Sequence, residues 1–463
     1  MSRLAKRLDQ AAAQAGDPVA RCTYTDARDP QVLTDVVGSL LAGERLFLSG
    51  GAGTGKTTLV RKIAEAVGRR HEEIVLTAST GLAACQLRDE TGLHNSRYVK
   101  GPTTLHSAAF LPIVEMPDPS RRISKGRRKL EKASVVVVDE ISMVDRVTFD
   151  RFLNRVSPGT GLLVVGDFFQ LPPVLKNEEG KPDFAFDSPP FAAFKLIDLQ
   201  VVLRQAEPEF IEFLKSLRNG RVEEAVLARA VDDFDPNYPV LFGTNRQADA
   251  YNRRCIDAIG ARSTYSVCCV KIGETEPVIK WLETYTRAKA RLEFKRGMRV
   301  LCIQNHEGLV NGDLGTITDI SGESEGGTEL PRWVEVRFDR QSVGLVRVCP
   351  FEFQERVWDA SKKEEAIKYA VVQYPLVPAY GLTVHKSQGM TLDVVNVDGS
   401  RVNFVPGHVY VALSRARTFN GIRLRNAHGL SAFHDPAVVQ YYARARRYDG
   451  PASSNVQAQA LQE

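Results

Sequence analysis

Residues 50–57 read GGAGTGKT, a match to G-x-x-x-x-G-K-[ST], and lie between an apolar run at 45–49 and a helix-like stretch. Strand, glycine-rich turn and helix in that order is the context in which this motif wraps a phosphate. It commits the chain to a sheet-and-helix fold with a nucleotide site at the carboxyl end of a strand. Glycines let backbone N–H groups close on the phosphates, and the helix N-terminus adds partial positive charge. Lys56 can reach the β- and γ-phosphates of ATP, and the Thr57 hydroxyl is a ligand for Mg²⁺. Gly50, Gly51, Ala52, Gly53, Thr54, Gly55, Lys56, Thr57 and Thr58 are therefore the candidate nucleotide-binding residues.

Two more short apolar runs end in polar residues: 135–138 before Asp139-Glu140, and 162–165 before Gly166-Asp167. Each has the length and branching of a buried parallel strand, which predicts a doubly wound α/β sheet. Asp139 is expected to hold Mg²⁺ through water, and Glu140 to orient and deprotonate the attacking water. A surface acidic pair is the alternative, and the four valines before it argue for a strand end instead. Gln170, in GDFFQLPPV, is placed to sense the γ-phosphate or the water.

A second α/β set is read at 239–242, 394–397 and 409–413, each taken as a strand. Between its parts, residues 295–373 turn to β-rich alternation at 298–303, 315–320, 333–338 and 345–348. Asn311-Gly312 suits a hairpin turn and 322–328 a flexible loop. A small β-barrel inserted in the second domain explains this, with an elaborated sheet edge as the alternative. At 463 residues the chain exceeds one core of about 250 residues, so several domains are expected. They are an N-terminal extension (1–35), a first domain (36–200), a second domain (201–294 and 374–448), the barrel (295–373) and a disordered tail (449–463). Residues 88–101 form a polar insertion in the first domain. Residues 117–132 carry Arg121, Arg122, Lys125, Arg127, Arg128 and Lys129, which read as a solvated charged helix before a DNA contact.

Composition mainly excludes. No apolar run approaches the roughly 20 residues that span a bilayer, and the N-terminus lacks a signal-peptide core, so no membrane partner and a cytoplasmic location are expected. Seven cysteines without a C-x-x-C pair argue against a disulfide framework or zinc site and are read as buried apolar residues. A net charge of +5 decides nothing by itself.

Arg204 and Arg415 become informative only in series with the other segments. Read in order, GGAGTGKTTL (50–59), LTASTGLAA (76–84), TTLHSAAF (103–110), VVVVDEISMVD (135–145), GDFFQLPPV (166–174), LRQ (203–205), LTVHKSQGMTLD (382–393) and VYVALSRAR (409–417) resemble the motifs of superfamily 1 helicases. The combination is specific to the PIF and RecD-like branch, which moves 5′ to 3′, and it covers most of the chain. The resemblance implies two RecA-like P-loop NTPase domains with ATP in the cleft, an inserted wedge (88–101) and the inserted barrel. It implies ATPase roles for Lys56, Thr57, Asp139, Glu140, Gln170, Arg204 and Arg415, the two arginines acting as fingers. It adds Gln388 for nucleotide coupling and Gln31 as the nearest match to an N-terminal glutamine motif. It implies DNA contacts at Ser79, Thr80, His106, Asn245, His385, Lys386 and Ser387, with Phe169 and Pro173 as further candidates. The partners implied are single-stranded DNA and forked or tailed duplex, met by a monomer, in a bacterial nucleoid or from a phage or plasmid. Residues 145–161 lack the longer signature of eukaryotic PIF members, which leaves PIF-proper and RecD-like membership open. A DNA-stimulated translocase that displaces or loads proteins without unwinding is the alternative. A slow nucleotide switch is disfavoured by Glu140.

Overall fold

A computed structural model of the protein describes residues 24–80, 83–84, 87, 91–93, 97–109, 130, 132–173, 182–222, 233–260, 264–268, 270–272, 278–279, 282–283, 286, 288–304, 308–309, 312–321, 331–340, 342–359, 364–388, 390–402, 405–427 and 430–450. The first lobe is a parallel sheet of β1 (Arg45–Gly50), β2 (Ile74–Ala78), β3 (Val99–Thr104), β4 (Val135–Asp139), β5 (Gly161–Gly166) and β6 (Lys195–Leu199), ordered β3-β2-β4-β5-β1-β6. Because strand side chains alternate, the sheet builds a core on each face. Leu46, Leu48, Val135, Val137, Leu163 and Val165 pack with helices α1 (Pro30–Leu41) and α2 (Lys56–Arg69). Phe47, Val136, Val138, Leu162 and Val164 face the other way, onto α3 (Leu105–Ala109), α4 (Arg146–Leu153) and an aromatic cluster around Phe168 and Phe191.

The chain then crosses to α5 (Pro208–Arg218), β7 (Val240–Phe242) and α6 (Asn245–Asp257). Strands β8 (Thr264–Cys268), β9 (Val270–Ile272), β10 (Arg291–Lys295), β11 (Arg299–Cys302), β12 (Leu314–Ile320), β13 (Val334–Phe338), β14 (Leu345–Val348), β15 (Phe351–Asp359), β16 (Glu364–Gln373) and β17 (Leu376–Pro378) follow. The fold closes with β18 (Gly381–Thr383), α7 (Val384–Ser387), β19 (Val395–Asp398), α8 (His408–Leu413), β20 (Ile422–Arg425) and α9 (Pro436–Arg444). A second parallel sheet runs β18-β7-β19-β20. An antiparallel sheet, β14-β13-β12-β11-β17, has its own core of Met298, Val300, Ile317, Val334 and Val336, into which α6 sets Ile256. β15 and β16 pair over their whole length as a long hairpin, with β9 on its edge. Among the described residues no helix is long and apolar enough to cross a membrane.

Several expectations change. Residues 409–413 are not a strand but lie in α8, all of whose residues are buried. A short wholly apolar run carries no periodicity to separate the two states. Residues 99–101 belong to β3, so the polar insertion ends at 98. A boundary at 36 would cut α1, whose Val32, Val36, Val37 and Leu40 are core. Residues 436–448 return to the first lobe: Val438 and Tyr442 join the Phe47 core, and the Tyr448 hydroxyl bonds Ser39 (2.8 Å). Gly450, from the expected tail, is buried beside the Tyr24 hydroxyl. Of the cysteines, Cys302 is buried, Cys255 half-buried and Cys349 exposed. The basic side chains between 117 and 132 other than Lys132, the loop at 322–328, and residues 451–463 lie outside the described residues.

Candidate active site

The glycine-rich turn joins β1 to α2 with Gly53 and Gly55 in the left-handed region (φ 78° and 85°), as a tight phosphate-wrapping loop requires. No larger residue fits there. A Cβ on Gly53 would come within 2.7 Å of Arg204 Cβ, and one on Gly55 within 2.8 Å of Leu203. The backbone N–H groups of Leu203 and Arg204 in turn donate to Gly53 O (2.7 and 3.2 Å). Residues 203–204 therefore brace the loop from outside. Lys56 Nζ donates to Gly50 O (2.8 Å) and Gly51 O (3.0 Å). Burial lowers its pKa, opposed by the nearby Asp167, Glu140 and Asp139.

Asp139 ends β4 and Glu140 follows with φ 52° and ψ 47°, a left-handed backbone that costs a non-glycine residue about 1–3 kcal/mol. The turn sends two consecutive carboxylates in different directions. Asp139 Oδ1 accepts from the Glu140 N–H (2.9 Å), and Glu140 Oε2 accepts from Gln388 Nε2 (3.0 Å) on the other lobe. One cleft is lined by Ala52, Gly53, Thr54, Gly55, Lys56, Thr57, Thr58, Asp139, Glu140, Gln170, Arg204 and Arg415, completed by Ala83, Leu87 and Leu203. Arg415 is 3% exposed and held by Val411 O (2.9 Å), Ser414 Oγ (2.8 Å) and Met390 O (3.4 Å). Its guanidinium is thus anchored to the second lobe while it lines a pocket built on the first. Thr57 and Asp139 bring a hydroxyl and a carboxylate to the same cleft, a hard-oxygen donor set suited to Mg²⁺.

The residues nominated for DNA divide. Ser79 and Thr80 follow β2, His106 follows β3, Asn245 follows β7, and His385 and Lys386 follow β18, so all six occupy the carboxyl edges of the two parallel sheets. Asn245 is exposed, and the other five are half-buried. Three nominations are corrected, two for DNA and one for the nucleotide site. Ser387 is fully buried, its hydroxyl donating to Val384 O (2.8 Å). Pro173 is buried. The half-buried Phe169 ring stacks on Tyr442 (4.7 Å between centroids, 11°) and meets the Arg218 guanidinium (4.9 Å), so the protein's own groups already engage it. Gln31 is exposed on α1, gives its amide to Asp35 (2.7 Å), and is not among the residues lining the cleft.

Sequence reasoning also missed the seam between the lobes. Arg218, at the end of α5, grips the fully buried Asp167 with two hydrogen bonds (3.0 and 3.1 Å). Burial works against its charge, but Asp167, Tyr442 and Asp198 more than offset this and raise its pKa. Asp167 was legible as a strand-end carboxylate like Asp139; Arg218, a lone arginine at a helix end, carried no signal. The Tyr442 hydroxyl bonds Ser49 Oγ (2.7 Å) and accepts from the Phe168 N–H (3.2 Å).

A family model described as an AAA domain matches residues 3–234. The chain is 32% identical over 437 residues to the ATP-dependent DNA helicase Pif1 of Bdellovibrio bacteriovorus, covering 87% of this chain and 89% of that protein. It is 31% identical to the ATP-dependent DNA helicase PIF1 of Danio rerio over 89% of its own length, but spans only 63% of that relative. The crystal structure of Pif1 helicase from Candida albicans superposes with a TM-score of 0.70 at 29% identity, covering 89% of this chain and 98% of the other. Taken with a RecA-like first lobe and a P-loop cleft shared between two sheets, these similarities show that the chain belongs to the Pif1 helicase family.

Proposed function

We propose that the chain is an ATP-dependent DNA helicase that translocates 5′ to 3′ on single-stranded DNA and unwinds forked or tailed duplex. One observation carries the ATPase part: Lys56, Glu140 and Arg415 line a single cleft although they come from two lobes. In this reading Lys56 binds the β- and γ-phosphates, and Glu140 takes the proton of the attacking water. Gln388 donates to one Glu140 oxygen and so ties this carboxylate to the other lobe. Gln170 senses the γ-phosphate, while Arg204 and Arg415 meet charge developing on the transferred phosphoryl group. Thr57 and Asp139 would hold Mg²⁺, which supplies charge neutralisation between the phosphates. Because Arg415 and Lys56 stand on different lobes, hydrolysis is tied to closure of the cleft. Both sides of that cleft come from one chain, which supports activity as a monomer.

The DNA track is read along Ser79, Thr80, His106, Asn245, His385 and Lys386, at the carboxyl edges where ligands of open α/β sheets bind. DNA as substrate and the direction of travel rest on the Pif1 relatives and on the motif series. The β11–β14 and β17 sheet is read as the small inserted barrel, and residues 88–98 as the strand-separating wedge.

A forked-duplex assay with either a 5′ or a 3′ tail tests the whole reading. Unwinding is expected from the 5′ tail, with ATP hydrolysis stimulated by single-stranded DNA. Lys56→Ala should lose turnover, and Glu140→Gln should keep nucleotide binding but slow hydrolysis at least ~100-fold. Deleting 88–98 should impair unwinding more than DNA-stimulated hydrolysis. Unwinding from the 3′ tail alone overturns the polarity. DNA-stimulated hydrolysis without unwinding leaves the translocase that displaces or loads proteins.

A further inference from the structure

Within the phosphate-binding turn, Ala52 packs onto the second lobe. Its side chain belongs to the core of the second lobe, with Leu241, Val397, Val409 and Val411, and its backbone N–H donates to the Tyr410 hydroxyl at 2.7 Å. Tyr410 lies on α8 and is 2% exposed. A Cβ on Gly51 would reach within 3.2 Å of the same hydroxyl, so the tyrosine oxygen lies directly against the turn. Packing alone does not ask for that oxygen. A phenylalanine ring would fill the space without burying a polar group, and a buried hydroxyl is costly unless it finds a partner. The partner here is a backbone N–H of the loop that wraps the phosphates.

The same helix leads into Arg415, whose Nε donates to Val411 O, one residue after Tyr410. Hydroxyl and guanidinium are therefore fixed to one short, fully buried element, the first touching the loop and the second lining the cleft. We propose that Tyr410 is a positioning residue, its hydroxyl registering α8 on the phosphate-binding turn and so setting where Arg415 stands in the cleft. This rests on the phosphoryl-stabilising role proposed above for Arg415.

The test compares Tyr410→Phe, Arg415→Ala and the double variant in single-stranded-DNA-stimulated ATP hydrolysis, with binding of a fluorescent ADP analogue measured in parallel. Tyr410→Phe is expected to lower kcat about three- to tenfold, the worth of one hydrogen bond, while nucleotide affinity stays within about twofold. In the Arg415→Ala background the same substitution should cost less than about twofold, because the residue it positions is gone. A merely structural tyrosine would act independently of Arg415. An equal loss in both backgrounds, an unchanged kcat in Tyr410→Phe, or a loss confined to nucleotide affinity overturns the proposal while leaving the arginine reading intact. A kcat unaffected by Arg415→Ala alone overturns the arginine reading, and this proposal with it.

Discussion

The imidazole of His408 is 1% exposed at the start of α8, its Nδ1 at 3.2 Å from Val402 O and the His385 ring edge-on at 5.3 Å. Burial, with His385 beside it, pushes its pKa down to about 4 from 6.5. Burial lowers His385 as well. The unfolded chain thus binds protons that the folded chain refuses between pH 6.5 and 4, and stability must fall as pH drops through that window. For His408 alone the loss is on the order of 3 kcal/mol by pH 4. Thermal melts across that window should show it, and His408→Asn, which keeps a donor for Val402, should flatten the acid side. An unchanged profile would remove His408 as the cause. At this scale the sequence was most readable where a motif prescribes both a residue type and its neighbours, as at Lys56, Asp139 and Glu140. It was least readable where accessibility decides. Nothing in HKSQG separates half-buried Lys386 from Ser387, whose hydroxyl turns back on its own helix.

Elements were legible wherever a run had a polar end or a period. In the first lobe, β1, β4 and β5 appear where short apolar segments run into motif residues, and β11 to β14 follow the alternation read at 298–348. α8 was misread because the run VYVAL at 409–413 is apolar throughout and wholly buried. Its start is set by Gly407, which has φ +80° and a hydrogen position aimed at the motif loop of the other lobe. A Cβ there would meet Gln170 O at 2.5 Å and Phe169 O at 2.7 Å. Gly407→Ala should therefore lift α8 away from Gln170, costing about 1–2 kcal/mol for the backbone alone before the clash. A lowered melting temperature together with slower DNA-stimulated hydrolysis is expected. Wild-type values for both would mean that this close approach is dispensable.

At the scale of the whole molecule, the lobes meet through a charged seam that no local pattern announces, since ion pairing between positions 167 and 218 exists only once both lobes are folded. Arg218→Ala would leave Asp167 buried without its counter-ion, a loss of roughly 3–5 kcal/mol read as a shift in the urea midpoint. Replacing both, Asp167→Leu with Arg218→Met, should recover most of it. If the single and double variants melt alike, the pair does not hold the seam.

The return of α9 to the first lobe has a mechanical consequence. The polypeptide passes between lobes at 200–207 and again at 426–435, so two covalent strands span the gap where a simple tandem would have one. A door hung on two pins swings about the line through both and resists twisting across it. The closure proposed for this cleft would have to turn about both crossings together, and Tyr442 and Tyr448 fasten the returning chain to the first lobe.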